Sequence, residues 1–300
     1  MVPHRLRLEF VCLAAIWGAS FLFIRVAAPE FGPMSLMLVR CLVGAAILVP
    51  LAVARHGMPA LVAQVRPAWG RLFVAGVLNS AIPFVMFGFA GLYLSAGFAS
   101  ILNATTPIFG AVVGYLWFGD RLTAIRVAGL VIGLAGVALI SWQRVGVAEG
   151  GMGAIAVLAC LVATFAYGYA GNFAKVRLAR IDPLVLAAGS QVAAMVMLVP
   201  GGIASWPAQW PTTAAWSSAL ALGAVCTGIA YVIFFRLIGR VKASAALSVT
   251  FLIPVFGVLW GWLFLAEQVD LWMLVGGAVV VLGTALATGM FAVGRAGRQP

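Results

Sequence analysis

The chain contains an internal duplication. At one constant offset the stretch around Pro107 repeats around Pro254, and near the start of each half a slightly longer offset lays Trp17 on Tyr167. The matches run through nearly the whole of both halves. Such a chain is expected to fold as two copies of one unit.

Composition places this repeated unit in a membrane. Hydrophobic residues make up 64% of the chain and charged residues 8%, whereas a soluble domain carries about a quarter charged residues. A spanning helix needs about 20 apolar residues, and breaking the chain at charges and at Pro and Gly clusters gives ten such segments. We therefore predict an all-α integral membrane protein with ten transmembrane helices. They lie at roughly 8–27, 34–54, 70–92, 95–118, 123–142, 153–174, 184–204, 214–236, 242–265 and 270–291.

Five predicted helices fall in each copy, so the repeats cover 8–142 and 153–291. An odd number of crossings inserts the second repeat upside down relative to the first. With the N-terminus inside, every Lys and Arg except Arg25, Arg40 and Arg144 falls on one side of the membrane. Because positive residues accumulate on the cytoplasmic side, both termini are predicted to be cytoplasmic.

The charge distribution and the missing motifs exclude several functions. The net charge of +11 comes from the cytoplasmic side of a membrane protein, which argues against a nucleic-acid partner. The sequence has no Gly-x-x-x-x-Gly-Lys-Ser/Thr loop for a nucleotide, no His-Glu-x-x-His and no Gly-x-Ser-x-Gly. His4 and His56 lie outside the predicted helices, and the Cys residues form no Cys-x-x-Cys pair. We expect neither an enzyme nor a nucleotide-driven pump, and no metal or other cofactor.

Three prolines lie well inside predicted helices, each four residues after a polar residue. Proline cannot donate a hydrogen bond to the carbonyl four residues earlier, so Pro83, Pro107 and Pro254 each free one carbonyl. The freed carbonyls belong to Asn79, Asn103 and Thr250. A loosened turn beside a polar side chain can line a wet cavity, or it can be a kink bonded to a neighbouring helix. Both interpretations stay open, and the Thr250 hydroxyl can also bond its own helix.

Aromatic residues with a polar atom occupy the middle of three predicted helices. They are Trp17, its repeat partner Tyr167, and Tyr231, whereas the other Trp residues lie near helix ends as in an interfacial belt. Such side chains suit a cavity for an amphipathic or aromatic solute. The alternative is helix packing, with the polar atom bonded to a neighbouring backbone.

Arg40 is the one charge clearly inside a predicted helix. It can bind a substrate carboxylate, snorkel to the outer interface, or pair with Glu30. Gln191, at mid-helix, is a further polar candidate, although a single Gln more often bonds a neighbouring helix than a ligand. Ser100 and Ser248 lie on faces of the fourth and ninth helices that we expect to point toward the repeat interface.

All acidic residues lie at predicted helix ends or in loops. Proton-driven carriers usually keep a titratable group inside the membrane, so we expect no coupling to protons through a buried carboxylate. The duplicated architecture then favours a carrier that works by alternating access, as facilitated diffusion or exchange. At the start of the seventh helix, Asp182-Pro183 predicts an Asp cap followed by Pro in the first turn.

Several motifs resemble the drug/metabolite transporter superfamily, in its branch with two EamA repeats. They are IWGASF at 16–21, SAGFAS at 95–100, TPIF at 106–109, FGDRL at 118–122, IPVFG at 253–257 and FLAE at 264–267. The likeness covers nearly the whole chain and is specific for the fold rather than for a substrate. One departure is Asp120, where family members often carry Glu, but the negative charge at the helix end is kept.

The resemblance implies a central cavity lined by the first four helices of each repeat, with the fifth peripheral. It implies a multi-pass inner-membrane exporter of amino acids or other small metabolites. The nearest likeness is to aromatic amino-acid exporters, with Trp17, Phe84, Tyr167 and Tyr231 as stacking walls. An exporter of other amphipathic metabolites or drugs stays open, as does a pore or a receptor. The expected partners are a small molecule and the lipid bilayer; the oligomeric state is not fixed by the sequence, and a monomer is compatible with it.

Overall fold

The computed structural model describes residues 4–144, 151–238 and 248–288, and every regular element in these ranges is helical. The helices of the first half are α1 (His4–Phe31), α2 (Pro33–His56), α3 (Met58–Val65), α4 (Trp69–Gly76), α5 (Ile82–Tyr93), α6 (Ala96–Asn103), α7 (Thr106–Phe118) and α8 (Ala124–Arg144). Those of the second half are α9 (Met152–Arg177), α10 (Pro183–Ala204), α11 (Thr213–Gly223), α12 (Ala230–Ile238), α13 (Ile253–Leu265) and α14 (Leu271–Ala287).

Several of these helices are long and apolar, and shorter ones follow each other in continuous apolar stretches. In the described residues, eight helical stretches have the length and composition needed to cross a membrane, and two shorter apolar ones run over Val249–Leu265 and Leu271–Ala287. This is the all-helical architecture predicted for an integral membrane protein.

The fourth and ninth predicted helices are interrupted at matching places. α6 ends at Asn103 and α7 begins with Pro107 in its first turn; in the second half a 3-10 turn, Ser248–Phe251, precedes α13, which has Pro254 in its first turn. Proline is tolerated there because the first-turn N–H groups have no partner within the helix. The carbonyl of Asn103 accepts a hydrogen bond from the Thr106 hydroxyl at 2.8 Å. This carbonyl is therefore satisfied by its own segment.

A second pair of matching irregularities consists of π-helical turns. Val77–Ala81 joins α4 to α5, and Ala224–Ile229 joins α11 to α12. At the offset that lays Pro107 on Pro254, Ser80 falls on Thr227, so each turn carries a hydroxyl at the same place. A π-turn inserts a residue and redirects the side chains around it, and such turns are frequent at functional sites.

The two halves pack against each other in matching pairs. α2 lies against α10, α6 against α13, and α8 against α14. α1 crosses α13, and α9, its counterpart in the second half, crosses α7. The interface between the halves therefore has the internal symmetry that the duplication predicts.

Paired glycines allow two of these crossings to be close. A Cβ atom on Gly18 would lie 2.9 Å from the Gly257 nitrogen, and one on Gly168 would lie 2.6 Å from the Gly110 nitrogen. Small residues at such contacts let two helix backbones approach. The neighbours of these glycines in sequence are Trp17 and Tyr167, so both aromatic residues are brought to the junction of the repeats.

The boundaries of some elements differ from the prediction. The segment before the third helix was predicted as a loop but forms α3, because Gly57 at φ 76° ends α2 and Pro59 lies in the first turn of the next helix. The start of the ninth predicted helix and the end of the tenth lie outside the described residues. The predicted cap is confirmed, since the Asp182 carboxylate accepts from the Leu184 N–H at 2.9 Å.

Candidate functional site

Arg40 lies in α2, and its guanidinium is buried between helices of both halves. Only 6% of the residue is exposed. Its Nε donates to Thr227 Oγ1 over 3.1 Å, and its Cζ lies 3.7 Å from the centre of the Phe84 ring. The Thr227 hydroxyl in turn donates to the Leu222 carbonyl at 2.9 Å. A hydroxyl of the second repeat and a ring of the first therefore hold this charge.

Two of the predicted roles of Arg40 are excluded by these contacts. Its burial between Phe84 and Thr227 shows that it does not snorkel to the membrane surface. Pairing with Glu30 is wrong, because the Glu30 carboxylate accepts from the Thr212 N–H at 2.6 Å and from the Thr212 hydroxyl at 2.8 Å, at the start of α11. In the part of the chain that the structure describes, no carboxylate lies within ion-pair distance of Arg40. Binding of a substrate carboxylate stays a prediction.

A second polar contact joins the repeats in the mirrored arrangement. Gln191 of α10 is fully buried, and its Nε2 donates to Ser80 Oγ over 2.9 Å. Its Oε1 is also buried and has no hydrogen-bond partner. Arg40 and Gln191 thus each reach from the second helix of one repeat to the π-turn of the other. The sequence left open whether Gln191 bonds a neighbouring helix, and the structure shows that its amide nitrogen does.

Asn79 and Tyr231 form a third bridge between the repeats. Asn79 Nδ2 donates to the Tyr231 hydroxyl over 3.1 Å, and both residues are half-buried. A Cβ atom on Gly44 would lie 2.8 Å from Thr227 Cγ2 and 3.5 Å from Gln191 Oε1, and Asn79 is followed directly by Ser80, so these groups share one region of the interior. We refer to the residues of the three bridges as the interior cluster. Its members are Arg40, Asn79, Ser80, Phe84, Gln191, Thr227 and Tyr231.

Aromatic rings of the two halves also contact one another. Trp17 is half-buried, with its ring centre 5.3 Å from that of Phe234 in α12. Tyr167 stacks on Phe87 at 6.4 Å, and Phe87 meets Phe21 edge-on at 5.3 Å. The two repeat partners therefore both contact rings from the opposite half of the chain.

The predicted residues of the fourth helix are placed differently. Ser100 is fully buried, its hydroxyl donates to the Gly97 carbonyl at 2.7 Å, and its side chain lies against Gly257. The face of the fourth helix that carries Ser100 does point to the repeat interface as predicted, but the Ser100 hydroxyl is buried in the contact with α13. Asn103 is half-buried at the break between α6 and α7.

The predicted residues of the ninth helix lie in the 3-10 turn Ser248–Phe251. Thr250 is half-buried there. The backbone of Ser248 belongs to the same turn, whereas its side chain lies outside the described part of the chain.

Sequence reasoning missed Ser80, Phe87 and Thr227. Ser80 and Thr227 were detectable in principle, because the repeat offset lays one hydroxyl on the other at mid-helix. Their importance depends on the π-turns and on partners more than a hundred residues away, at separations of 111 and 187 positions. Nothing in the sequence distinguishes Phe87 from the other Phe residues as a site residue.

Other features of the described residues do not add to this site. No group of three or more His, Cys, Asp or Glu side chains within them is placed to hold a metal ion. An apolar groove of about 480 Å³ opens between α2, α3 and α10, with Leu61, Val65 and Val185 in its lining. None of the predicted site residues lines that groove.

Known proteins similar to this chain include named transporters. One from Bacillus subtilis, "Uncharacterized transporter YvbV", is 28% identical over 94% of this chain and 91% of its own length. A "Probable terminal-alkyne amino-acid exporter" of Streptantibioticus cattleyicolor is 27% identical over 92% of this chain and 91% of its own. The "Aromatic amino acid exporter YddG" of Ancylobacter novellus is 29% identical, over 57% of this chain and 64% of its own.

A solved structure shares the fold. A crystal structure whose description names no function superposes with a TM-score of 0.67 at 22% identity, covering 94% of this chain and 96% of its own. The model of the EamA-like transporter family matches residues 8–142 and again residues 154–289. These two matches confirm the resemblance seen in the sequence motifs, and the chain belongs to the EamA-like transporter family, within the drug/metabolite transporter superfamily.

Proposed function

We propose that the chain is a secondary transporter that exports small amphipathic metabolites, chiefly amino acids with aromatic or hydrophobic side chains. The observation that carries this proposal is the interior cluster, in which a buried charge and several polar groups from both repeats meet inside apolar helices. Polar and ionisable groups at such depth are costly and usually mark a substrate pathway. The relatives named as amino-acid exporters support the substrate class.

We further propose that the chain crosses the inner membrane ten times in two inverted repeats, 8–142 and 153–291. Both termini then lie in the cytoplasm. The matching helix pairs across the interface support the repeats. The accumulation of Lys and Arg between alternate helices supports the orientation. In inverted repeats the site lies where the repeats meet, near the middle of the bilayer.

Alternating access fits the way the helices are interrupted. π-turns carry residues of the interior cluster in both halves. The fourth and ninth predicted helices are each interrupted just before a proline. Irregular backbone at membrane depth is tolerated where it lines a cavity or is buried in protein. Because the same devices recur in both repeats, the repeats can exchange conformations and open the cluster to either side in turn.

Coupling to protons is not part of the proposed mechanism. Several acids cap helix ends instead: Glu267 accepts from the Ala96 N–H at 2.7 Å, and Asp270 accepts from the Met273 N–H at 2.7 Å. Asp182 and Glu30 do the same at the starts of α10 and α11. With these four acids used at helix ends, the protein works as a uniporter or exchanger, and solute gradients set the direction of flux.

Counterflow in liposomes tests the proposal. Purified protein is reconstituted in liposomes loaded with unlabelled amino acids, and uptake of labelled phenylalanine, tryptophan, threonine and methionine is followed without an ion gradient. A carrier gives a transient, saturable accumulation that depends on the internal load. A pore gives uptake that is independent of the internal load, and a receptor binds without flux; either outcome contradicts the proposed function.

A further inference from the structure

The charge of Arg40 has no counter-ion among the residues that the structure describes. The residue is 6% exposed, and no carboxylate of the described residues lies within ion-pair distance. A buried cation is costly unless it is paired. Proteins keep such a charge inside a membrane where it faces the interior and serves a substrate or an ion. The missing anion is therefore to be sought outside the protein.

The contacts of the guanidinium show which of its atoms are left for that anion. Nε is used by Thr227, and one face of the plane is covered by Phe84. Neither Nη atom has a hydrogen-bond partner among the described residues, and neither belongs to the polar atoms that are sealed from the surface. The edge formed by the two Nη groups is the one that binds a carboxylate with two parallel hydrogen bonds.

Among the described residues, no acidic side chain lies beside Arg40 to offset a second positive charge. The direct contacts of its guanidinium are the Thr227 hydroxyl and the Phe84 ring. An ammonium group placed here would meet a cation without an acid to offset it, and like charges at close range are strongly unfavourable. The site is therefore suited to an anion and unsuited to an amine that carries no carboxylate.

Resting on the transport function above, we propose that Arg40 binds the carboxylate of the substrate and that no amino group is required. The substrate class is then small apolar monocarboxylates, of which amino acids are one subset. Carboxylates that lack the amino group are accepted, whereas amines and amides that lack the carboxylate are rejected.

Ligand binding to the purified, full-length protein in detergent tests this inference. For benzyl, isobutyl and methyl side chains, the amino acid is compared with its deaminated acid, its amide and its decarboxylated amine; for benzyl these are phenylalanine, 3-phenylpropionate, phenylalaninamide and phenethylamine. We expect the acid without the amino group to bind within about tenfold of the amino acid, and the amide and amine at least about 100-fold more weakly. Equal binding of acid and amine, or no binding by any carboxylate of the set, overturns the inference.

Variants locate the preference. Arg40→Gln should remove the preference for the carboxylate, and Arg40→Lys, which keeps the charge but not the two-pronged edge, should retain part of it. Arg25→Gln is the matched control, because Arg25 donates to the Gly91 carbonyl at 2.9 Å and lies outside the cluster; it should keep the full preference. Unchanged preference in Arg40→Gln overturns the inference, and if that variant does not fold, the ligand series on the wild type decides.

Counterflow with the same ligands separates this inference from the proposed function. Flux of amides and amines as fast as of acids overturns the carboxylate requirement and leaves the transporter standing. Carboxylate-selective binding that is never followed by flux contradicts the transporter and leaves the role of Arg40 standing.

Discussion

Replacing Arg40 by Met should leave the unliganded protein as stable as the wild type or make it more stable by about 0–3 kcal/mol. Burial of the guanidinium costs several kcal/mol even after relaxation. The hydrogen bond to Thr227 offsets about 1.5–3 kcal/mol, and the contact with the Phe84 ring offsets about 2 kcal/mol. A buried Met contributes about 2 kcal/mol of its own. No polar group is orphaned, because Thr227 keeps its 2.9 Å bond to the Leu222 carbonyl.

Equilibrium unfolding in mixed micelles, followed by circular dichroism without any ligand, measures this difference. The matched control is Arg25→Met, which removes the hydrogen bonds from Arg25 to the carbonyls of Gly91 at 2.9 Å and Leu92 at 3.4 Å. That control should lose about 1–2 kcal/mol. Removing one partner of a buried ion pair costs about 3 kcal/mol or more of unfolding free energy. If Arg40→Met loses that much, Arg40 stabilises the fold, and the reasoning about an uncompensated charge is refuted.

Three further predictions concern the interior of the protein. Asn79→Ala and Tyr231→Phe each break the 3.1 Å bond between these residues and should each cost about 1 kcal/mol of unfolding free energy; in a double-mutant cycle the second change should add little, and full additivity would show that the bond contributes nothing. Trp17→Ala should raise the KM for aromatic substrates by about tenfold, while Trp142→Ala, at a residue that is 87% exposed, should leave it unchanged; equal KM values in both variants would remove Trp17 from the site. Counterflow should change by less than about twofold when a pH gradient of one unit is imposed, since the proposed mechanism uses no carboxylate inside the membrane; a strong and reversible dependence would reveal a coupled proton.

Local signals in the sequence predicted most of the architecture. Apolar length and the distribution of charge indicated an all-α membrane protein, and the helix start at Asp182 was confirmed by its hydrogen bond to the Leu184 N–H. These features depend on composition and on capping within a few residues. The family likewise followed from short motifs, and the match of the family model to both halves confirmed it.

The contacts inside the site could not be predicted in the same way. Arg40 meets Thr227 across 187 positions, and only the packing of α2 against the second repeat brings them together. The expected partner of Arg40, Glu30, was close in sequence but is bonded to Thr212 instead. The π-turns carry no composition signal, because the extra residue is stabilised by tertiary contacts rather than by local propensity.

Counterflow by two arginine variants tests the central claim, which is that a substrate binds between the repeats on Arg40 and is carried across the membrane. Wild-type protein, Arg40→Gln and Arg25→Gln are reconstituted at equal density in liposomes loaded with unlabelled phenylalanine, and the initial uptake of labelled phenylalanine is measured well below saturation. The account predicts equal exchange by the wild type and Arg25→Gln, and a rate lower by about 100-fold for Arg40→Gln. Exchange by Arg40→Gln at the wild-type rate would place the substrate elsewhere and contradict the account.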